Sequence, residues 1–244
     1  LPLFAEAYNS ISVLSDKYPS KEVLIKAEPD FVYGGFSSAF SEKRGLATRK
    51  ELLELGINSY LSPSYASNKA LRPDPWTVDA LYREIREIGK IFQIEERAVA
   101  YIEKIKADLE SAVPEDAEAN AFEKPSVLWL DSFGKNGPYV GAGTGTPHEI
   151  ISLAGGKNAF ADVEGAWATV SQEQIVDQDF EYIVLVEASW DTAESKIENL
   201  KKDPIYSELE PVKQEKFVVI DFSASTPGVR LPIAVQKLAD ALYR

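Results

Sequence analysis

Residues 95–113 read EERAVAYIEKIKADLESAV, and the rest of the chain falls into two halves on either side of them. Its apolar side chains recur at steps of three and four residues, with charged side chains between them, at Ala98, Tyr101, Ile102, Ile105, Leu109 and Val113. This spacing predicts an amphipathic helix. At about 1.5 Å per residue, the helix would be roughly 28 Å long, enough to run the height of a small domain. We therefore expect one rigid helix that joins two lobes.

Ahead of this helix, helix and strand patterns alternate. Ser20 and Thr48 are typical N-cap residues, and helical segments follow them at 21–27 and 49–55. Short apolar runs at 31–33 and 57–61 then read as buried strands, a long irregular loop covers 62–75, and residues 78–92 predict a further helix. This order predicts a first α/β lobe over residues 1–94.

After the helix, residues 95–118 form the predicted link and spacer, and the α/β pattern restarts. Apolar runs at 126–130, 182–186 and 217–220 predict strands, and helical patterns at 147–153, 172–176, 189–209 and 232–243 separate or follow them. The glycine-rich stretch 131–145 is predicted to be a loop. The fold class expected is therefore α/β, with two three-layer lobes and mainly parallel sheets, the second lobe spanning residues 119–244.

Composition excludes several functions for this chain of 244 residues. A net charge of −13 argues against a nucleic-acid partner, because phosphate binding requires a concentration of Lys and Arg. Cysteine is absent and His148 is the single histidine, which excludes thiolate and histidine-rich metal sites. The sequence contains neither the Gly-Lys-Ser/Thr that ends a phosphate-binding loop nor the Gly-x-Ser-x-Gly motif of serine hydrolases. We expect neither a cofactor nor a resident metal ion.

The loops at the strand ends carry the candidate ligand-binding residues. Open α/β sheets bind ligands at the carboxyl ends of their strands, so we expect a site in the groove where the loops of both lobes face each other. The candidates are Phe36, Ser37, Ser38, Tyr65, Asn68 and Arg72 from the first lobe, and Lys135, Tyr139, Trp167, Trp190, Phe222 and Arg230 from the second. Aromatic rings with a few cations suit a bulky, partly apolar, anionic ligand.

Each of these candidates also has a purely structural interpretation. Loop tyrosines such as Tyr65 and Tyr139 often cover the edge of a core. Arg230 could pair bidentately with a ligand carboxylate or hydroxamate, or form a surface ion pair with one of the many acids. Arg72 and Lys135 could simply be solvated. Trp129 lies within an apolar run and is expected in the core.

Several segments together resemble the helical-hinge substrate-binding proteins of ABC importers, the components that deliver iron-siderophores, haem or cobalamin. In the first lobe these segments are PSKEVL at 19–24, EPDFVYG at 28–34, ELGI at 54–57 and IGKIF at 88–92. In the second they are LAGGKN at 153–158, WATVS at 167–171 and YIVL at 182–185. The resemblance covers almost the whole chain, although members usually begin with one or two strands before the segment that here starts at Leu1. The first lobe is therefore expected to be truncated.

The resemblance implies capture of a ligand without chemistry. It implies a monomer outside the cytoplasmic membrane, periplasmic or a cell-surface lipoprotein, with a modest hinge motion and an ABC permease as partner. By motif position, Glu22 and Glu173 would dock the protein onto permease arginines, although a first-turn carboxylate is also favourable to a helix by itself. The expected cargo is an iron-siderophore chelate, followed by cobalamin or haem. A two-lobed enzyme of chelatase-like or nitrogenase-like layout, and an interaction or sensor module, are the alternatives.

Overall fold

The computed structural model describes residues 5–43, 45–66, 68–114 and 124–244. Its internal contacts divide the chain into two compact units, Leu1–Arg72 and Pro73–Arg244. This division differs from the predicted boundaries at 94/95 and 118/119, because the two helices over residues 78–110 belong to the second unit. Residues 115–118 of the predicted spacer lie outside the described residues. The role of the second of these helices as a link between lobes stays a prediction.

The first unit contains two short α/β repeats. Its elements are α1 (Ala5–Asn9), α2 (Lys21–Lys26), β1 (Phe31–Gly34), α3 (Arg49–Glu54) and β2 (Asn58–Leu61), with 3-10 turns at Ser37–Phe40, Pro63–Tyr65 and Lys69–Leu71. The two strands pair in parallel. Ser20 and Thr48 are the N-caps of α2 and α3, as predicted, and each accepts a hydrogen bond from a backbone N–H of the first turn. Within α2, only Leu24 is buried.

The second unit contains the larger sheet. Its helices are α4 (Val78–Ile91), α5 (Glu95–Glu110), α6 (Thr146–Leu153), α7 (Gln172–Val176), α8 (Ala193–Lys202), α9 (Glu210–Lys213), α10 (Phe222–Ser225) and α11 (Leu231–Tyr243). Its strands are β3 (Ser126–Gly134), β4 (Gly137–Gly141), β5 (Lys157–Asn158), β6 (Trp167–Thr169), β7 (Tyr182–Glu187) and β8 (Phe217–Asp221). The strand order is β6-β4-β3-β7-β8, with β5 paired to β3.

Most pairings in this sheet are parallel, which confirms the predicted fold class. Strands β5, β7 and β8 run parallel to β3 or to each other, whereas β4 is antiparallel to β3 and β6 to β4. Alternate side chains of a strand point to opposite faces, and each face supports its own apolar cluster. On one face, helices α4, α5 and α11 pack against Trp129, Val184 and Ile220. Leu128 and Leu185 pack on the other face with α7 and α8.

The glycine-rich stretch 131–145 was predicted to be a loop, and this prediction is wrong for residues 131–141, although residues 142–145 do form a turn. Strand β3 continues to Gly134 and returns as β4 through a two-residue connection, so residues 126–141 form an antiparallel hairpin. Gly137 at the start of β4 has a φ of +128°, a backbone conformation that residues other than glycine rarely adopt. Tyr139 and Trp167, which were expected on loops, consequently lie on strands β4 and β6.

Helix α5 buries the face that its sequence predicts, with Ala98, Ile102, Ile105 and Leu109 inside. Helix α4 packs Val78, Leu81 and Ile85 against the core of the second unit. It buries Ala80, Leu81, Tyr82 and Gly89, whereas Phe92 at its end is half exposed. Gly89 allows α4 to pack closely on α5, since a Cβ at this position would lie 2.6 Å from the Cβ of Ala98. Among the described helices, none has the length and apolar character needed to cross a membrane.

Candidate functional site

In the first unit, an aromatic pair lies beyond the carboxyl ends of the two parallel strands. The register pairs Gly34 with Leu61, so β1 and β2 end at the same edge. Phe36 follows β1 and Tyr65 follows β2, and their ring centroids are 4.3 Å apart with the planes tilted by 44°. Ser37 begins the 3-10 turn directly after Phe36. The structure therefore brings together three of the predicted ligand residues, Phe36, Ser37 and Tyr65.

The polar candidates of the first unit brace their own loops. The Nε of Arg72 donates to the carbonyl oxygen of Ala66 at 2.6 Å. The Asn68 side-chain oxygen accepts from the N–H of Ala70 and caps a short turn. The Ser38 hydroxyl lies 2.9 Å from that of Tyr18. These contacts give Arg72, Asn68 and Ser38 structural roles, and their predicted contact with a ligand stays a prediction.

In the second unit, Tyr139 and Trp167 stack on neighbouring strands. Tyr139 is opposite Thr169, and Gly141 is opposite Trp167, which places the two rings diagonally on one face of the sheet. Their centroids are 5.4 Å apart and the planes differ by only 13°. Trp167 packs against the core, while Tyr139 keeps 37% of its surface exposed. The result is a flat aromatic surface supported from below.

A second pair, Trp190 and Phe222, lies at the carboxyl ends of β7 and β8. Trp190 belongs to the turn that follows β7, and Phe222 directly follows β8. Their centroids are 5.0 Å apart and the rings meet edge to face at 74°. Phe222 packs against the core, whereas 72% of Trp190 is exposed. Large exposed aromatic rings held by a buried neighbour are typical of surfaces that bind something.

Asp131 is a partly buried acid at the end of the apolar part of β3. Burial raises the pKa of its carboxyl, and the negative charge of Asp191 acts in the same direction, against a hydrogen bond from Ser132 and the charge of Lys196. Burial, followed by the charge of Asp131, also raises the pKa of Tyr139. Near neutral pH, Tyr139 is therefore a neutral phenol that can donate a hydrogen bond. Sequence reasoning missed Asp131, although its position directly after a buried run was a signal.

Sequence reasoning also missed Lys196, which is only 1% exposed. Its Nζ donates to the carbonyl oxygens of Val186 at 2.6 Å and Asp191 at 2.8 Å. The Asp191 carboxylate lies 3.2 Å from the same nitrogen. The signal in the sequence was a lysine on the inner face of a helix, in line with the buried Ala193 and Leu200.

The remaining cationic candidates are exposed. Lys135 is in the two-residue connection of the β3–β4 hairpin, and Arg230 directly precedes α11. Both are accessible to a ligand by position, and their contact with one stays a prediction. Among the described residues, no group of three or more His, Cys, Asp or Glu side chains is placed to hold a metal ion.

Glu22 and Glu173 occupy equivalent places in two short helices. Each is exposed in the first turn of a helix whose N-cap is a serine, Ser20 for α2 and Ser171 for α7. A hydrogen bond from Ser20, followed by a backbone N–H, lowers the pKa of Glu22. Glu22 therefore carries its full negative charge at neutral pH.

Comparison with known proteins places these features in context. The sequence profile described as "Periplasmic binding protein" matches residues 4–224. No match was found among the curated proteins. Among solved structures, a periplasmic binding protein from Veillonella parvula is similar at 25% identity, with a TM-score of 0.81 over 99% of this chain and 79% of that one.

Two further structures share the fold at lower identity. The periplasmic haem-binding protein RhuT from Roseiflexus sp. is 20% identical, with a TM-score of 0.72 over 96% of this chain and 84% of that one. An ABC-type Fe3+-hydroxamate transport system protein from Saccharomonospora viridis is also 20% identical, with a TM-score of 0.72 over 98% of this chain and 81% of its own.

Proposed function

This chain belongs to the periplasmic binding protein family, and from that premise we propose that it is the substrate-binding component of an ABC importer for an iron-siderophore-type chelate. In this proposal it works outside the cytoplasmic membrane as a monomer, captures its cargo without chemical change and delivers it to the permease. Similar folds in a haem-binding protein and in a hydroxamate transport protein support cargo of this class.

The observation that carries the proposal is the set of aromatic pairs at strand ends. The three pairs are Phe36 with Tyr65, Tyr139 with Trp167, and Trp190 with Phe222. The first and third pairs follow the carboxyl ends of parallel strands, and the second lies on strands β4 and β6. Rigid rings provide large apolar contact area with little conformational entropy to lose, which suits a bulky chelate.

Tyr139 offers a contact of the kind that a siderophore chelate can use. Because burial and Asp131 raise the pKa of its phenol, Tyr139 is protonated near neutral pH and would donate a hydrogen bond to a bound chelate. A chelate in which the siderophore already fills the coordination of iron needs only such contacts. Haem is the second candidate, supported by the fold shared with RhuT, and cobalamin is the third.

Binding is tested by titrating the protein with a ferric hydroxamate siderophore, a ferric catecholate, haem and cobalamin. The quenching of tryptophan fluorescence and the heat of binding are measured. We expect saturable binding of the hydroxamate complex. Trp190→Ala should weaken it by about 1–3 kcal/mol, since an exposed aromatic contact is removed while the core is left intact.

The matched control is Tyr8→Ala, because Tyr8 is equally exposed on α1 and lies outside the aromatic pairs. This variant should bind as the wild type does. If none of the four compounds binds, the proposed transport function is wrong.

Docking onto a permease through Glu22 and Glu173 is the second part of the proposal. Exposed carboxylates at helix starts can form charge-assisted pairs with arginines of a partner. Glu22→Ala with Glu173→Ala should leave cargo affinity unchanged and reduce permease-dependent uptake by about tenfold or more, the effect of losing two such pairs.

Glu54→Ala with Glu198→Ala is the control pair, since it removes one exposed glutamate from each unit at helix positions outside the first turn. Uptake should then be normal. A loss of cargo affinity in the Glu22 and Glu173 variant would contradict the docking role.

A further inference from the structure

Trp190 is exposed but lies on a closely tied turn. Backbone hydrogen bonds join Ala188 and Asp191 in both directions, with N–O distances of 3.3 and 3.0 Å. The indole meets the edge of Phe222 at 5.0 Å. The indole is 72% exposed although its turn is fixed, and an exposed aromatic ring that is held in place indicates a binding contact.

Lys196 links the end of that turn to strand β7. Val186 is in β7 just before the turn and Asp191 closes it, and the Nζ of Lys196 donates to the carbonyl oxygens of both. The Asp191 carboxylate forms a salt bridge with the same Nζ at 3.2 Å. The start of α8 is held to the same strand, because the Glu187 carboxylate accepts from the N–H of Ala193 at 2.8 Å.

A lysine is an expensive residue to bury. Removing an ammonium group from water is costly unless it is fully paired, and an apolar side chain of similar volume often gives equal or greater stability. The neighbouring inward position of α8, Leu200, is apolar and packs in the cluster on this face of the sheet. Stability alone therefore does not account for a lysine at position 196, whereas tying the end of the turn to strand β7 does.

We propose that Lys196 is a positioning residue, which fixes the Ala188–Asp191 turn so that Trp190 is presented in one orientation to the bound chelate. The inference rests on the proposed function for its ligand, but the link from Lys196 to Trp190 can be measured without any ligand. Loss of Lys196 would leave Trp190 present and mobile, so a bound molecule would have to order the ring itself.

The test uses the full chain labelled with 5-fluorotryptophan, in which Trp190→Phe identifies the fluorine resonance of Trp190. In Lys196→Met we expect this resonance to shift and broaden, while those of Trp76, Trp129 and Trp167 stay in place. Affinity for the ferric hydroxamate complex should fall about tenfold, mainly through faster dissociation.

Leu200→Ala is the matched control, since it weakens the same face of the same helix without touching the turn. It should lower the urea midpoint yet keep both the Trp190 resonance and the affinity. If Lys196→Met does not fold, Lys196→Gln, which retains a shorter donor, supplies the same comparison.

An unchanged Trp190 resonance in the Lys196 variant, or an equal change in Leu200→Ala, would overturn the inference. If the wild type binds none of the chelates, the proposed function fails, and the fluorine spectra alone still decide whether Lys196 holds Trp190.

Discussion

Glu51 makes three contacts that connect α2 to the start of α3. One carboxylate oxygen accepts from the N–H and the hydroxyl of Thr48 at 2.8 and 2.9 Å, and the other accepts from Lys21 at 2.9 Å. The contact with Lys21, followed by those with Thr48, lowers the pKa of Glu51 from 4.5 to about 2. The charged form is therefore favoured by folding.

This shift predicts how the first unit responds to acid. Because the pKa of Glu51 is lower in the folded state, its contribution to stability is fully present above the ordinary value and is lost as the pH falls through about 2. Hydrogen-exchange protection of α3 and β2 should consequently decrease between about pH 5 and about pH 2.5.

In Glu51→Gln, which keeps an oxygen for the cap but has no charge, protection should depend less on pH over this range. Glu54→Gln, on the same helix, should behave as the wild type does. Equal acid sensitivity of the wild type and Glu51→Gln would contradict the assignment.

At the level of single residues, local features could be predicted and distant contacts could not. Ser20 and Thr48 are confirmed as N-caps because capping depends on the three following residues alone. The pairing of Phe36 with Tyr65 brings together two loops that the sequence separates, and the bracing role of Arg72 depends on a carbonyl group that sequence patterns do not reveal.

Strand β4 packs closely against helix α6, and this contact predicts the effect of a single methyl group. A Cβ on Gly141 would lie 2.4 Å from the Cβ of Pro147 and 3.2 Å from that of Trp129. Gly141→Ala should therefore lower the free energy of unfolding by about 1–3 kcal/mol, as overpacking does, and disturb the Tyr139–Trp167 stack through the neighbouring strand.

Urea unfolding measures the loss of stability, and near-ultraviolet circular dichroism reports the aromatic stack. Gly228→Ala is the control in the same unit, because the nearest atom to its new Cβ is 3.9 Å away. If Gly141→Ala unfolds at the same urea concentration as Gly228→Ala, the close packing described here is incorrect.

The elements that the sequence predicted well are those whose apolar residues follow one clear helical or strand pattern. Helices α5 and α11 and the buried strands β3, β7 and β8 appear where their apolar patterns place them. The β3–β4 hairpin was missed because glycines indicate a break in the chain, while the pairing of Leu130 with Val140 depends on segments ten residues apart.

The two units differ in the size of their cores. The first has one small apolar cluster around Leu52, and the second has two larger clusters, one on each face of its sheet. A small core exposes a larger fraction of its surface and contributes less stability. We therefore expect the first unit to open separately, before the second unfolds.

Hydrogen exchange can measure this difference in residues of matched context. Val32 in β1 and Val184 in β7 are both buried within parallel strands. The amide of Val32 should exchange at least about tenfold faster than that of Val184 after correction for intrinsic rates. Equal protection would mean that the chain unfolds as one cooperative body.

At the level of the whole chain, the sequence predicted two α/β units but placed their boundary too late. The N–H of Trp76 donates to Thr144 at 2.8 Å, and that of Val78 donates to the Glu149 carboxylate at 2.8 Å, so the second unit begins well before α5. Amphipathic spacing shows that a helix covers a sheet, but it does not show which sheet is covered.

The hairpin described above also offers a place to attach a reporter. Lys135 is exposed in its two-residue connection, and the chain contains no cysteine. A cysteine introduced there would be the sole thiol, so a maleimide dye would label one known position without competing reactions. The protein could in this way be converted into an optical sensor for the molecule that it captures.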